Sequence, residues 1–294
     1  MSIQEATPEP RRGRLVDIGG RRLRVVPAGP VGQDSPTVLF EAGAFGFSAD
    51  WSVVQERLAA AGAASLAYDR AGLGLSDPGP EPRDGAAILA DLERLLERLG
   101  ERGPFLLCGH SMAGLHVRLF AGRHRPAVAG AVLVEATLPE EMDSRFAAGL
   151  VGQLARASHL AAWSADSGLL KPLSRSGIGD AIGLSGEAKK EKLWAFSSAR
   201  HNRWAAAEVD EWGRTAGQAR EAGLFDRDLP LAVVLAGAGR RAARWKDHLA
   251  QPALAAQVGR VDRVKGANHA SILGRRHADA VVEAIGWVRA ARRP

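Results

Sequence analysis

Cys108-Gly109-His110-Ser111-Met112-Ala113-Gly114 is the stretch on which the reading of this chain turns. Just upstream, Pro104-Phe105-Leu106-Leu107 has the short apolar run of a buried strand; downstream, Leu115 to Arg123 has the pattern of a helix. A serine pinned at such a junction, with small residues two positions away on either side, is arranged as a nucleophile. The sharp turn strains the serine backbone and lifts its hydroxyl clear of the sheet. Gly109 and Ala113 are small because strand and helix pass close together there, and Ala113 stands where such turns usually carry glycine. Two plainer readings compete: a glycine-rich turn with a bystander serine, and a phosphate loop of the dinucleotide-binding kind. The surrounding chain favours the nucleophile, because it supplies partners for one.

Working outward, strands and helices alternate. Arg14 to Ile18 and Arg21 to Val26 flank Gly19-Gly20 as a hairpin. Thr37 to Phe40 reads as a strand, followed by the glycine-bearing loop Glu41 to Ser48 and a helix over Trp51 to Ala61. Ser65 to Tyr68 is the next strand, and Asp69 to Pro78 a turn-rich loop. Asp84 to Leu99 is an amphipathic helix, with Ile88, Leu89, Leu92, Leu95, Leu96 and Leu99 on one face. After the strand Ala129 to Val134, alternation stops; residues 138–228 are mostly helix-forming and hold Trp163, Trp194, Trp204 and Trp212. It resumes with a strand over Leu231 to Ala236, a helix near Trp245 to Ala256, a strand near Arg260 to Val264, and a closing helix from His277 to Ala290. The expected fold class is α/β, a mostly parallel doubly wound sheet with an inserted helical cap. The cap, 138–228, is expected over the carboxyl ends of the strands, where such sheets bind ligands. The core is then 14–137 and 229–294, preceded by a disordered leader, 1–13.

Composition narrows the function classes. The chain has 294 residues, enough for one α/β domain with an insertion, and is 46% hydrophobic and 24% charged, as globular proteins are. The net charge of +6 comes mostly from scattered arginine, with clusters at Arg11, Arg12 and Arg14 and at Arg289, Arg292 and Arg293. No basic stretch is interleaved with aromatics, so a solvated surface is expected rather than a nucleic-acid interface. No apolar run has the length of a membrane span, and Met1 to Arg14 lacks the form of a secretory signal. Cys108 is the single cysteine, which excludes an intramolecular disulfide; at the end of a buried strand it reads as a packed thiol in a reducing cytoplasm.

Four blocks in order make the chain resemble the α/β-hydrolase superfamily, and within it the capped, cofactor-independent serine hydrolases. They are Glu41-Ala42-Gly43-Ala44-Phe45-Gly46 with Trp51 beyond, Tyr68-Asp69-Arg70-Ala71-Gly72-Leu73-Gly74-Leu75-Ser76, Gly109-His110-Ser111-Met112-Ala113-Gly114, and Gly266-Ala267-Asn268-His269. A serine hydroxyl needs a base within hydrogen-bond reach. In the resembled fold the loop after the late strand carries that base, which assigns it to His269. His110 flanks the nucleophile, where its ring is expected to point away from the reacting hydroxyl. The usual acid site, after Leu231–Ala236, holds Gly237-Ala238-Gly239-Arg240-Arg241, with no carboxylate before Asp247. Some members of the superfamily place the acid one strand earlier, where this chain has Glu135; the order Ser111, Glu135, His269 fits. Glu135 is therefore the expected orienting acid, with Asp247 second and a strand-end structural carboxylate the plain alternative.

The resemblance further implies an oxyanion hole from the Ala44 and Met112 backbone N–H groups, no metal and no organic cofactor. Phe45 and Phe47 are expected to wall the pocket, and Glu41 to form a structural ion pair with Arg70. Serine at the nucleophile position argues against alkyl-enzyme epoxide hydrolysis and dehalogenation. The expected activity is hydrolysis of an ester, lactone or thioester of a small, largely apolar molecule through an acyl-enzyme. A lyase, acyltransferase or cyclase on the same scaffold, or a ligand-binding signalling protein, are the alternatives. The cap's tryptophans and leucines read equally as substrate contacts or as packing among its own helices. The expected partner is a small-molecule substrate, not nucleic acid or membrane, with a homodimer left open.

Overall fold

In a computed structural model, which describes residues 11–30, 36–143, 145–237 and 246–291, eight strands form one sheet in the order β1-β2-β4-β3-β5-β6-β7-β8. They are β1 (Arg14–Asp17), β2 (Arg22–Ala28), β3 (Thr37–Glu41), β4 (Ser65–Tyr68), β5 (Phe105–His110), β6 (Val128–Val134), β7 (Leu231–Ala236) and β8 (Gly259–Val264). β2 is antiparallel to both β1 and β4, and all other pairs are parallel. The central strands are buried on both faces, which explains their unbroken apolar runs. Phe105, Leu107, Ala131, Leu133, Val233 and Leu235 face one core; Leu106, Cys108, Val132, Val134, Val234 and Ala236 face the other.

The first core is covered by α2 (Gly85–Leu99) and α3 (Ala113–Arg123), the second by α1 (Ser52–Ala60) and the last helix. α2 begins where the Asp84 carboxylate accepts the Ala87 N–H at 2.9 Å, and ends on Gly100 in the left-handed region at φ 73°. Between β6 and β7 lies a helical insertion: α4 (Arg145–Asp166), α5 (Lys171–Arg175), α6 (Gly186–Ser197), α7 (Ala199–Asp210) and α8 (Trp212–Glu221). A helical turn over 246–249, α9 (Gln251–Ala255) and α10 (Ala278–Ala291) follow β7. No helix among the described residues is long and apolar enough to cross a membrane. Residues 1–10 of the expected leader, 238–241 of the loop after β7, and Arg292 and Arg293 lie outside the described residues. Arg12, within that leader, is bonded to Glu191 of α6 at 3.1 Å.

Candidate active site

Sheet register brings the site together. Glu41 pairs with Gly109 and His110 with Val134, so the chain leaves β3, β5 and β6 at neighbouring points on one edge. Ser111 sits between β5 and α3 at φ 58°, a left-handed conformation that costs a non-glycine residue about 1–2 kcal/mol. A Cβ on Gly109 would stand 2.6 Å from Val117 Cγ2 and 3.0 Å from the Ala113 carbonyl oxygen, which is the close approach the sequence implies. Gly43 is also required: its Cβ would lie 2.9 Å from that of Ser111.

His269 follows β8 in a loop held by Asn268, whose Oδ1 accepts the Ala270 and Ser271 N–H groups at 3.1 and 2.8 Å. Its Nε2 lies 3.0 Å from Ser111 Oγ, and its Nδ1 3.5 Å from Glu135 Oε2. With a carboxylate beside Nδ1, the proton sits on that nitrogen and the Nε2 lone pair accepts the Ser111 hydroxyl. Glu135, at the end of β6 with φ 47°, is buried and accepts the Ala236 N–H at 2.7 Å. Lys246 adds bonds of 2.8 and 3.0 Å to its two oxygens, and also donates to the Ala236 carbonyl at 2.6 Å. Burial pushes the Glu135 pKa up, but His269, Lys246 and the Ala236 N–H together outweigh it and hold the carboxyl below its ordinary value. Asp247 is exposed and paired with Arg263 at 2.5 Å.

Sequence reasoning sets His110 aside, yet its buried ring packs 4.6 Å from that of His269, and its Nε2 is 2.8 Å from the His269 carbonyl oxygen. Burial, then the nearby His269, lowers its pKa to about 3, so the ring is neutral and donates Nε2–H to that carbonyl. Lys246 was equally invisible in the sequence, since 111 residues separate it from Glu135. Burial raises the Cys108 thiol well above its ordinary value, so it is a protonated thiol packed in the second core. Among the described residues, neither the Ala44 nor the Met112 N–H is donated to a backbone carbonyl. No group of three or more His, Cys, Asp or Glu among them is placed to hold a metal.

A cavity of about 330 Å³ opens beside Ser111, Glu135 and His269, with Ala136, Met142, Val151, Leu154 and Trp212 in its wall. A second, of about 520 Å³, meets it at Glu140, Glu141 and His248. Phe45 and Phe47, expected as pocket walls, line neither; Phe47 is 1% exposed and packs beneath the insertion against His201 and Lys192. Glu41 forms the expected buried ion pair with Arg70, at 3.7 Å, and also accepts the Tyr68 hydroxyl at 2.5 Å.

The family model of the alpha/beta hydrolase fold matches residues 36–160. A putative epoxide hydrolase from Pseudomonas aeruginosa superposes with a TM-score of 0.72 at 18% identity, covering 95% of this chain and 97% of that one. A thermophilic esterase from Thermogutta terrifontis gives 0.69 at 18%, covering 93% and 95%. The chain has the α/β-hydrolase fold. At these identities the likeness to the two structures is one of fold. An uncharacterized protein of Schizosaccharomyces pombe is 26% identical over 228 residues, 75% of this chain and 40% of that protein's length.

Proposed function

We propose that this chain is a serine hydrolase cleaving an ester-like bond, in an ester, lactone or thioester, of a small and largely apolar molecule. The observation that carries the reading is the 3.0 Å contact of His269 Nε2 with Ser111 Oγ, backed by Glu135 at Nδ1. Ser111 attacks the carbonyl carbon while His269 Nε2 takes its proton, and Glu135 stabilises the imidazolium. The Ala44 and Met112 N–H groups receive the developing oxyanion. The tetrahedral intermediate collapses to an acyl-enzyme as His269 protonates the departing alcohol or thiol. Water, deprotonated by the same ring, then attacks the ester and releases the acid and free Ser111. No step draws on a metal or an organic cofactor. Residues 138–228 act as a cap whose apolar inner wall receives the acyl or alcohol group. The single buried thiol is in keeping with a reducing cytoplasm.

The test is turnover of a p-nitrophenyl ester series together with labelling by a fluorophosphonate. Ester turnover abolished by Ser111→Ala supports the proposal. Labelling without turnover of any ester points instead to transfer, elimination or ligand binding on the same scaffold.

A further inference from the structure

The backbone from Ala42 to Phe47 is gripped from the side of the helical insertion. Arg70, 2% exposed in the loop after β4, donates Nη1 to the Ala42 carbonyl at 2.5 Å and Nη2 to the Gly43 carbonyl at 2.9 Å. The remaining edge of its guanidinium meets the carboxylate of Glu208 in α7, Nε to Oε1 at 2.9 Å and Nη2 to Oε2 at 2.7 Å. Glu208 is itself 2% exposed. Lys192 of α6 reaches the Phe45 carbonyl at 3.4 Å and pairs with Asp50 at 2.7 Å. His201 of α7 accepts the Gly74 N–H on Nδ1 at 3.0 Å, which leaves the protonated ring nitrogen for the Phe45 backbone. Phe45 stands at φ 57°, a region side-chain-bearing residues avoid unless their surroundings impose it.

One feature of the peptide group gives this grip a chemical consequence. The Gly43 carbonyl and the Ala44 N–H belong to a single planar trans peptide and point in opposite directions. Fixing the carbonyl on Arg70 therefore fixes the aim of the amide. We propose that Arg70 and Glu208 are positioning residues for the oxyanion loop, so that docking of the insertion through Glu208, with Lys192 and His201 beside it, sets the direction of the Ala44 N–H and the rate of the chemical step. The inference rests on the serine-hydrolase reading, in which that N–H faces the reacting carbonyl oxygen. A guanidinium suits the task because its rigid fork holds two carbonyls and a carboxylate in one plane.

The test compares wild-type protein with Glu208→Gln and Glu208→Asp on p-nitrophenyl butyrate, with melting temperatures measured alongside. A small alkylboronic acid serves as the second probe, because its tetrahedral adduct on Ser111 places a boron-bound oxygen where the oxyanion forms. Glu208→Gln is expected to lower kcat about 10–100-fold while KM changes less than about threefold. The boronate inhibition constant should weaken by a similar factor, and Glu208→Asp should recover part of both. Lys192→Met, at a half-buried site, gives the same readouts with a smaller kcat loss should Glu208→Gln fail to fold. A folded variant with unchanged kcat and boronate affinity overturns the inference, and so does a rise in KM alone, which would place Glu208 on the substrate side. Turnover that survives Ser111→Ala overturns the serine reading itself, and the inference with it.

Discussion

Glu135 is joined to both His269 and Lys246, so the sharpest prediction concerns a pair of substitutions rather than one. Glu135→Gln keeps the shape of the side chain but leaves the buried Lys246 ammonium without that carboxylate's charge, beside the Ala236 carbonyl at 2.6 Å. Breaking a buried ion pair from one side costs about 3–5 kcal/mol, which is roughly 10 °C in melting temperature for a chain of this size. Removing both charges, as Glu135→Gln with Lys246→Met, deletes the stranded ion and should restore most of that stability. Activity should not return. Without a carboxylate at Nδ1 the imidazole loses both its tautomer and the charge that steadies it, and kcat falls about 10³–10⁴-fold in the single and the double variant alike. Melting temperature and kcat on one p-nitrophenyl ester are measured for wild type, both single variants and the double variant. A folded double variant with kcat within about tenfold of wild type, far short of the loss expected for a missing triad acid, would refute the assignment. Lys246→Met alone keeps the carboxylate but removes one cause of its lowered pKa, so the acid limb of its pH–rate profile should move to higher pH.

Other outcomes follow from particular contacts. Burial holds His110 and His201 at a pKa of about 3, against about 6.5 in an unfolded chain. Between those values the unfolded chain binds protons the folded one refuses, so stability is lost as pH falls through this window, by about 1.4 kcal/mol per pH unit for each ring. Urea midpoints at about pH 7 and about pH 5 should show the loss, and His201→Gln should roughly halve the slope; an unchanged slope contradicts it. His110→Gln should cost kcat about tenfold with little change in KM, because the ring holds the backbone of His269 and touches no substrate. Gly43→Ala forces apart the loop and Ser111, so ester turnover should fall in a protein destabilised by about 1–3 kcal/mol; wild-type kinetics would show the loop is free to move. Leu154→Trp narrows the cavity beside Ser111, and kcat/KM should then drop more for long acyl chains than for acetate; equal losses would place the acyl group elsewhere.

The periodic parts of the chain were legible, and the long-range contacts were not. Ser65–Tyr68 and Leu231–Ala236 are strands with the bounds their apolar runs gave. β5 extends to His110, past the apolar run, because the ladder to Val134 carries Gly109 and His110 irrespective of side-chain type. The stretch near Trp245 to Ala256 reads as one helix but, where described, is two pieces, with Pro252 in the first turn of the second. Ser111 was expected from its place directly after a strand, and His269 from the loop that carries the base in the resembled fold; the structure brings the two within 3.0 Å. Lys246, His201 and Glu208 act through partners more than 100 residues away, at 111, 127 and 138 positions' separation, and no local pattern announces such pairs. The direction of the His110 side chain was likewise settled by packing against Trp51 and His269, not by its neighbours in sequence.

Whether Ser111 carries the acyl group is read out by intact-protein mass spectrometry during turnover of an ester whose acyl-enzyme is hydrolysed slowly. The expected result is a mass increase equal to the acyl group, located by peptide mapping to Ser111. It should be absent in Ser111→Ala and longer-lived in Glu135→Gln with Lys246→Met. Turnover with no adduct on the wild-type chain, or an adduct on any other residue, would contradict it.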